Sequence, residues 1–233
     1  MKSLFRITLA TAALATASLA HAQTVPFANF QQVGGDKSFQ FLNTGVTSTF
    51  VTEDTITSST VIPVNFTYLF FNTSGTINVS LPANLTITST VSSPASFGLT
   101  GSQPLSNVQM TFTGTGAVTG NLLTVFNSTG VLGGALGDST AGLDETHNGT
   151  TQIVNFSSDY IDFSSSTQRN YSIALNNVTP ALANGGNGYL AGFQSNATGV
   201  FAANGLAPEP STFALLGLGA LGLVARRRKN SHC

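Results

Sequence analysis

Between Gln23 and Leu206, apolar and polar residues alternate in short runs interrupted by clusters of Gly, Asn and Ser. Ile77, Val79 and Leu81 alternate with Thr76, Asn78 and Ser80, and Leu85 and Ile87 with Thr86 and Thr88. Val108, Met110 and Phe112 repeat the pattern with Gln109 and Thr111, as do Tyr171, Ile173 and Leu175 with Ser172 and Ala174. Successive side chains of a strand point to opposite faces, so a period of two buries one face and leaves the other in solvent. No run in this region keeps a helical period. The pattern predicts an all-β fold, a single β-sandwich or jelly-roll-like domain.

The punctuation predicts connections. Asn72-Thr73-Ser74-Gly75 separates two apolar runs and reads as a hairpin turn. Pro82 stands second in Leu81-Pro82-Ala83-Asn84, where a type I turn accepts proline, so residues 62–91 read as a three-stranded meander. Residues 114–116, 132–137 and 184–188 read as loops, and residues 130–148 as the longest stretch without periodicity.

Residues 23–207 hold eight acids against two bases, Lys37 and Arg169, a net charge of about −6. No basic patch exists there to neutralise phosphates, which argues against nucleic-acid binding. Thr, Ser and Asn abound, and most of the 17 Phe of the chain lie here without any Trp. Aromatic-rich, charge-poor composition is the reverse of a disordered chain. The single cysteine is Cys233, so disulfides play no part and stability rests on burial and hydrogen bonding.

Both ends read as addresses. Lys2 and Arg6 precede an apolar stretch from Ile7 to Leu19, and Ala20-His21-Ala22 supplies the small-x-small pattern of a signal peptidase site. Residues 1–22 therefore read as a signal peptide, handled by the export machinery and cleaved before Gln23. At the other end, Pro208-Glu209-Pro210 precedes an apolar run from Phe213 to Ala225 and the basic cluster Arg226, Arg227, Arg228 and Lys229. A helix of that length covers roughly 20 Å, against about 30 Å of hydrocarbon, and suits a transient inner-membrane anchor. The basic cluster would stay cytoplasmic. Pro208 and Pro210 hold the outer motif extended, in a form a peptidase can reach.

These three parts in order resemble the PEP-CTERM sorting signal of bacteria. The resemblance covers residues 208–229 and implies export, recognition by an exosortase (a membrane cysteine transpeptidase) and removal of the tail. It also implies delivery to the cell surface or an extracellular polysaccharide matrix. Residues 23–207, the mature all-β domain, lie outside it.

Within that domain, Asp138, Asp144 and Glu145 fall in a glycine-rich stretch beside His147 and suggest a calcium loop, since hard cations take carboxylate and carbonyl oxygens. Asp159 and Asp162 flank Tyr160 and Ile161 and are possible additional ligands. One His without Cys does not make a zinc site, and no nucleophile elbow is present. Carboxylate pairs for glycoside hydrolysis can be drawn from Glu53, Asp54, Asp144 and Glu145. Ten Asn-x-Ser/Thr sequons, Asn127 and Asn155 among them, come with the Asn- and Thr-rich composition.

The expected protein is noncatalytic, sits at the surface or in the matrix, and associates with exopolysaccharide or with itself. A calcium-assisted carbohydrate-binding module, with Tyr160 or Tyr189 stacking on sugar, and a secreted hydrolase are the rival expectations. Intact-mass measurement on protein recovered from the producing cell is expected to find a chain from Gln23 to near Pro208. A chain still ending at Cys233 would contradict removal of the tail.

Overall fold

In the computed structural model of the protein the alternation resolves, among the described residues, into twelve strands, every pairing antiparallel. The structure describes residues 24–205, apart from 46, 55–56, 73–74, 92 and 147–152. Thr24–Leu206 form one compact unit. The strands are β1 (Val25–Gln32), β2 (Phe39–Asn43), β3 (Ser48–Thr52), β4 (Ile62–Asn72), β5 (Gly75–Val91) and β6 (Ser96–Phe97). They continue as β7 (Thr100–Thr115), β8 (Thr119–Ala135), β9 (Thr140–Thr146), β10 (Val154–Ser157), β11 (Arg169–Thr179) and β12 (Phe193–Ala203). The all-β, sandwich-like expectation holds.

The ladder closes on itself. From β4 through β5, β7, β8, β9 and β11 to β12 each strand pairs with the next, and β1 then lies between β12 and β4. Closure takes two tiers, because β12 runs on past its pairing with β1 and β5 runs on past its pairing with β4. Residues 198–203 of β12 pair with β1 and residues 193–195 pair with β2. On the far side β5 pairs with β4 as far as Leu85. Beyond that point β3 takes over through side chains. Ile87 N donates to Thr52 Oγ1 at 2.9 Å, Phe50 N donates to Ser89 Oγ at 3.0 Å, and Ser89 Oγ donates to Phe50 O at 2.9 Å.

The inward face of this closed sheet is phenylalanine. Phe30, Phe66, Phe112 and Phe201 are fully buried, with Phe112 5.0 Å from Phe66, 5.2 Å from Phe30 and 5.4 Å from Phe201 between ring centroids. Tilted and edge-on rings at such distances are the favourable arrangement of aromatic pairs. Phe39, Phe41 and Phe50 of β2 and β3 fill the second tier. Ile62, Leu85, Ile87, Leu105 and Met110, all fully buried, join these rings in one core.

Three local readings of the sequence are corrected. Residues 81–84 form no turn, because β5 runs unbroken through Pro82, which stands opposite Asn65. The β7 ladder begins only at Ala83, so Pro82 lies where β5 has a single partner strand. A proline whose nitrogen faces an open side removes no ladder bond. Residues 132–135 are strand, not loop, with Leu132 fully buried. A Cβ on Gly133 would lie 2.4 Å from the Gly101 carbonyl oxygen, so the glycine marks a close approach of β7 and β8. Residues 130–148 likewise hold the end of β8 and all of β9, paired from Val131↔Asp144 to Gly133↔Gly142. Val79 is exposed despite its alternation, on a part of β5 that pairs only with β4.

Truncating the ring that joins three strands of the core should be severe. Phe112→Ala is expected to lower unfolding free energy by about 3–5 kcal/mol, read as a shifted urea midpoint with unchanged slope.

Candidate functional site

The residues proposed for calcium do not converge. Asp138 lies exposed in the β8–β9 turn, where its carbonyl accepts Leu182 N at 2.9 Å. Asp144 and Glu145 are consecutive on β9 and therefore point to opposite faces: Asp144 is exposed and Glu145 is buried. Among the described residues no three His, Cys, Asp or Glu side chains gather as a metal centre requires. Glu53 and Asp54 follow β3, and Asp54 Oδ1 accepts Thr57 N at 2.9 Å. His147 lies outside the described residues.

Glu145 belongs to an interior polar patch instead. It stands opposite Tyr171 on β11, whose hydroxyl accepts Asn127 Nδ2 at 3.0 Å. Both Asn127 and Tyr171 are buried, so this sequon asparagine is closed to any modifying enzyme. Burial pushes the Tyr171 phenol well above the ordinary tyrosine value, and the charges of Glu145 and Asp144 push the same way.

An open concavity lies elsewhere, at the segment between β10 and β11. A cleft of about 650 Å³ is lined by residues 156–164 and Arg169. Two of its lining rings, Phe156 and Phe163, stand edge-on at 5.5 Å, and both pack edge-on against Phe27, at 5.5 Å and 5.2 Å. Phe27 reaches them because β1 carries a bulge between Pro26 and Ala28, which turns Phe27 inward as well as its neighbour Ala28. Re-aiming a side chain is what a bulge does.

The wall is built from a loop held at both ends. Asp159 Oδ2 accepts Asn121 N at 2.8 Å, and Tyr160 donates its hydroxyl hydrogen to Thr119 O. Gly120 permits this approach: its φ is +102°, and a Cβ there would lie 2.7 Å from Asp159 Oδ2. Tyr160 N donates to Ser158 Oγ at 3.0 Å. The ring is thus pinned at hydroxyl and backbone while remaining 49% exposed. Asp162 accepts Ser164 N at 2.8 Å and Ser164 Oγ at 2.9 Å, bonds that hold its carboxyl below the usual carboxylate range. Arg169 Nη2 donates to Phe163 O at 2.9 Å, while its buried Nε has no partner among the described residues. Burial holds this guanidinium below the ordinary arginine value.

The far end of the same loop is tied to the chain's exit from the sheet. Buried Asn204 accepts at Oδ1 from Thr167 N at 2.8 Å, Gln168 N at 2.9 Å and Ser166 Oγ at 3.2 Å. Its Nδ2 donates to Thr167 Oγ1 at 2.9 Å. Asn204 therefore acts as a clasp between the loop and the end of β12. Sequence reasoning named Asp159, Tyr160 and Asp162 but missed the parts played by Arg169 and Asn204. The usable signals were the scarcity of cations and an Asn-Gly pair closing a strand.

Pro208, Glu209, Pro210, the Arg226–Lys229 cluster, the apolar run before it and the signal-peptidase residues Ala20 and Ala22 lie outside the described residues. Among the described residues no helix is long and apolar enough to cross a membrane. At the level of sequence, residues 206–229 match the family model of the PEP-CTERM protein-sorting motif. That motif marks an exported chain, transiently anchored in the membrane and processed by an exosortase. Comparison with curated proteins and with solved structures yields no match.

The buried phenol has a testable consequence. Unfolded, Tyr171 ionises near pH 10; folded, it keeps its proton to higher pH. Above that pH the unfolded chain binds fewer protons, so stability present at neutral pH is lost as pH rises. Tyr68, raised chiefly by burial, acts in the same direction. Thermal melts between about pH 9 and 11.5 should fall with pH, and Tyr171→Phe should make the fall shallower by up to about 1.4 kcal/mol per pH unit.

Proposed function

We propose that the protein is a noncatalytic component of the cell surface or extracellular matrix that associates with exopolysaccharide after exosortase processing. The observation that carries this reading is the sorting motif at residues 206–229, which supplies an outward destination for a domain with little charge. The mature region's eight acids and two bases are sparse among hydroxyl and amide side chains, a surface suited to hydrogen bonding with polyols. Signal peptidase and the export machinery act first in this scheme, and exosortase removes the tail.

Polysaccharide is favoured over lateral self-assembly by the closed ladder. Closure leaves no strand of the ring as a full-length edge, and free edges are what template strand-to-strand association. The test uses the processed protein with exopolysaccharide extracted from the producing cell. Co-sedimentation with the polysaccharide and a monomeric profile in its absence are expected. A protein that stays in the supernatant at every polysaccharide concentration would end this reading, and salt-resistant oligomers without polysaccharide would replace it with self-assembly.

A further inference from the structure

We propose that the cleft beside Tyr160 is a subsite for one neutral hexose unit of a polysaccharide. The proposal rests on the association with exopolysaccharide argued above and names the surface that makes it.

A hexose ring offers apolar C–H faces and a rim of hydroxyls. The cleft offers both complements. The Tyr160 ring is half exposed yet immobilised through its hydroxyl and its backbone, so stacking on it forfeits little side-chain entropy. Around it stand acceptors and donors already oriented by the fold. Each Asp162 oxygen accepts one bond from Ser164 and retains a further lone pair. Arg169 commits one N–H to Phe163 O and keeps its remaining donors. The cleft's volume of about 650 Å³ falls within the usual range of small-ligand sites.

Charge selects the sugar class. Asp159 and Asp162 outnumber Arg169 in the lining, within a mature region of net charge about −6. A uronate or a phosphorylated unit would meet net repulsion, whereas a neutral ring meets alternating donors and acceptors. Preformation has a structural origin: the β1 bulge turns Phe27 against the lining rings Phe156 and Phe163, Gly120 admits Asp159, and Asn204 clasps the loop's far end.

Affinity electrophoresis of the processed protein through gels containing dextran, laminarin, mannan or galactan tests the site, with alginate and polygalacturonate as the charged counterparts. At least one neutral polymer should retard the protein and neither charged polymer should. Tyr160→Ala should weaken retardation by about tenfold, while Tyr160→Phe, which keeps the ring, should stay within about threefold. On the unsubstituted protein, ring protons of Tyr160 should shift on titration with oligosaccharides of the retarding polymer, a readout that does not depend on how the variants fold. Unmoved Tyr160 resonances, retardation by uronate polymers alone, or no retardation by any neutral polymer would overturn the proposal. If native protein and Tyr160→Ala bind extracted exopolysaccharide equally, this subsite is wrong while the broader association stands. If neither binds it, both fall.

Discussion

The structure depends on β1 finding its place between β12 and β4. Until that strand is seated, the meander from β4 to β12 is an open sheet whose two end strands each show an unpaired edge. Seating β1 satisfies both edges at once, from Gln31↔Thr198 to Val25↔Ala203 on one side and from Gln32↔Val64 to Ala28↔Tyr68 on the other. It also brings Phe30 against Phe112 and Phe201, strands far apart in sequence. Backbone satisfaction and aromatic burial are therefore achieved in the same step, which a protein without disulfides needs.

The same strand shapes the surface. Its bulge turns Phe27 against the lining rings of the cleft, while Phe30, three residues further along β1, serves the central cluster. One element thus links core and cleft. The loop is held by hydrogen bonds to the start of β8 at one end and to Asn204 at the other. The result is a concavity whose wall is pinned at both ends, on a charge-poor exterior.

How much of this was legible can be judged residue by residue. The buried faces of β7 and β11 follow directly from alternation at Val108, Met110 and Phe112 and at Tyr171, Ile173 and Leu175, all of them buried. The hairpin at residues 72–75 was equally readable, with Asn72 opposite Gly75. Pro82 and Gly133 misled because their meaning depends on neighbours. A proline is a turn signal unless the strand has an open side there, and a glycine run is a loop signal unless another backbone lies against it. Asp144 and Glu145 misled for the opposite reason: adjacency in sequence suggested a shared site, and the strand's own pleat separates them.

The sequence by itself determined the class of fold, the absence of disulfides and the outward destination, because periodicity, cysteine count and a linear sorting motif are properties of local order. Only the tertiary structure decided that the ladder closes, that β2 and β3 complete it as a second tier, and that Tyr160, Asp162 and Arg169 share one cleft. Closure and the second tier rest on pairings between residues more than a hundred positions apart, such as Ala28 with Phe201 and Phe41 with Phe193. Strand pairing is chosen by which closed arrangement satisfies every backbone edge and fills the interior with rings, a condition on the whole chain that no short segment of it carries.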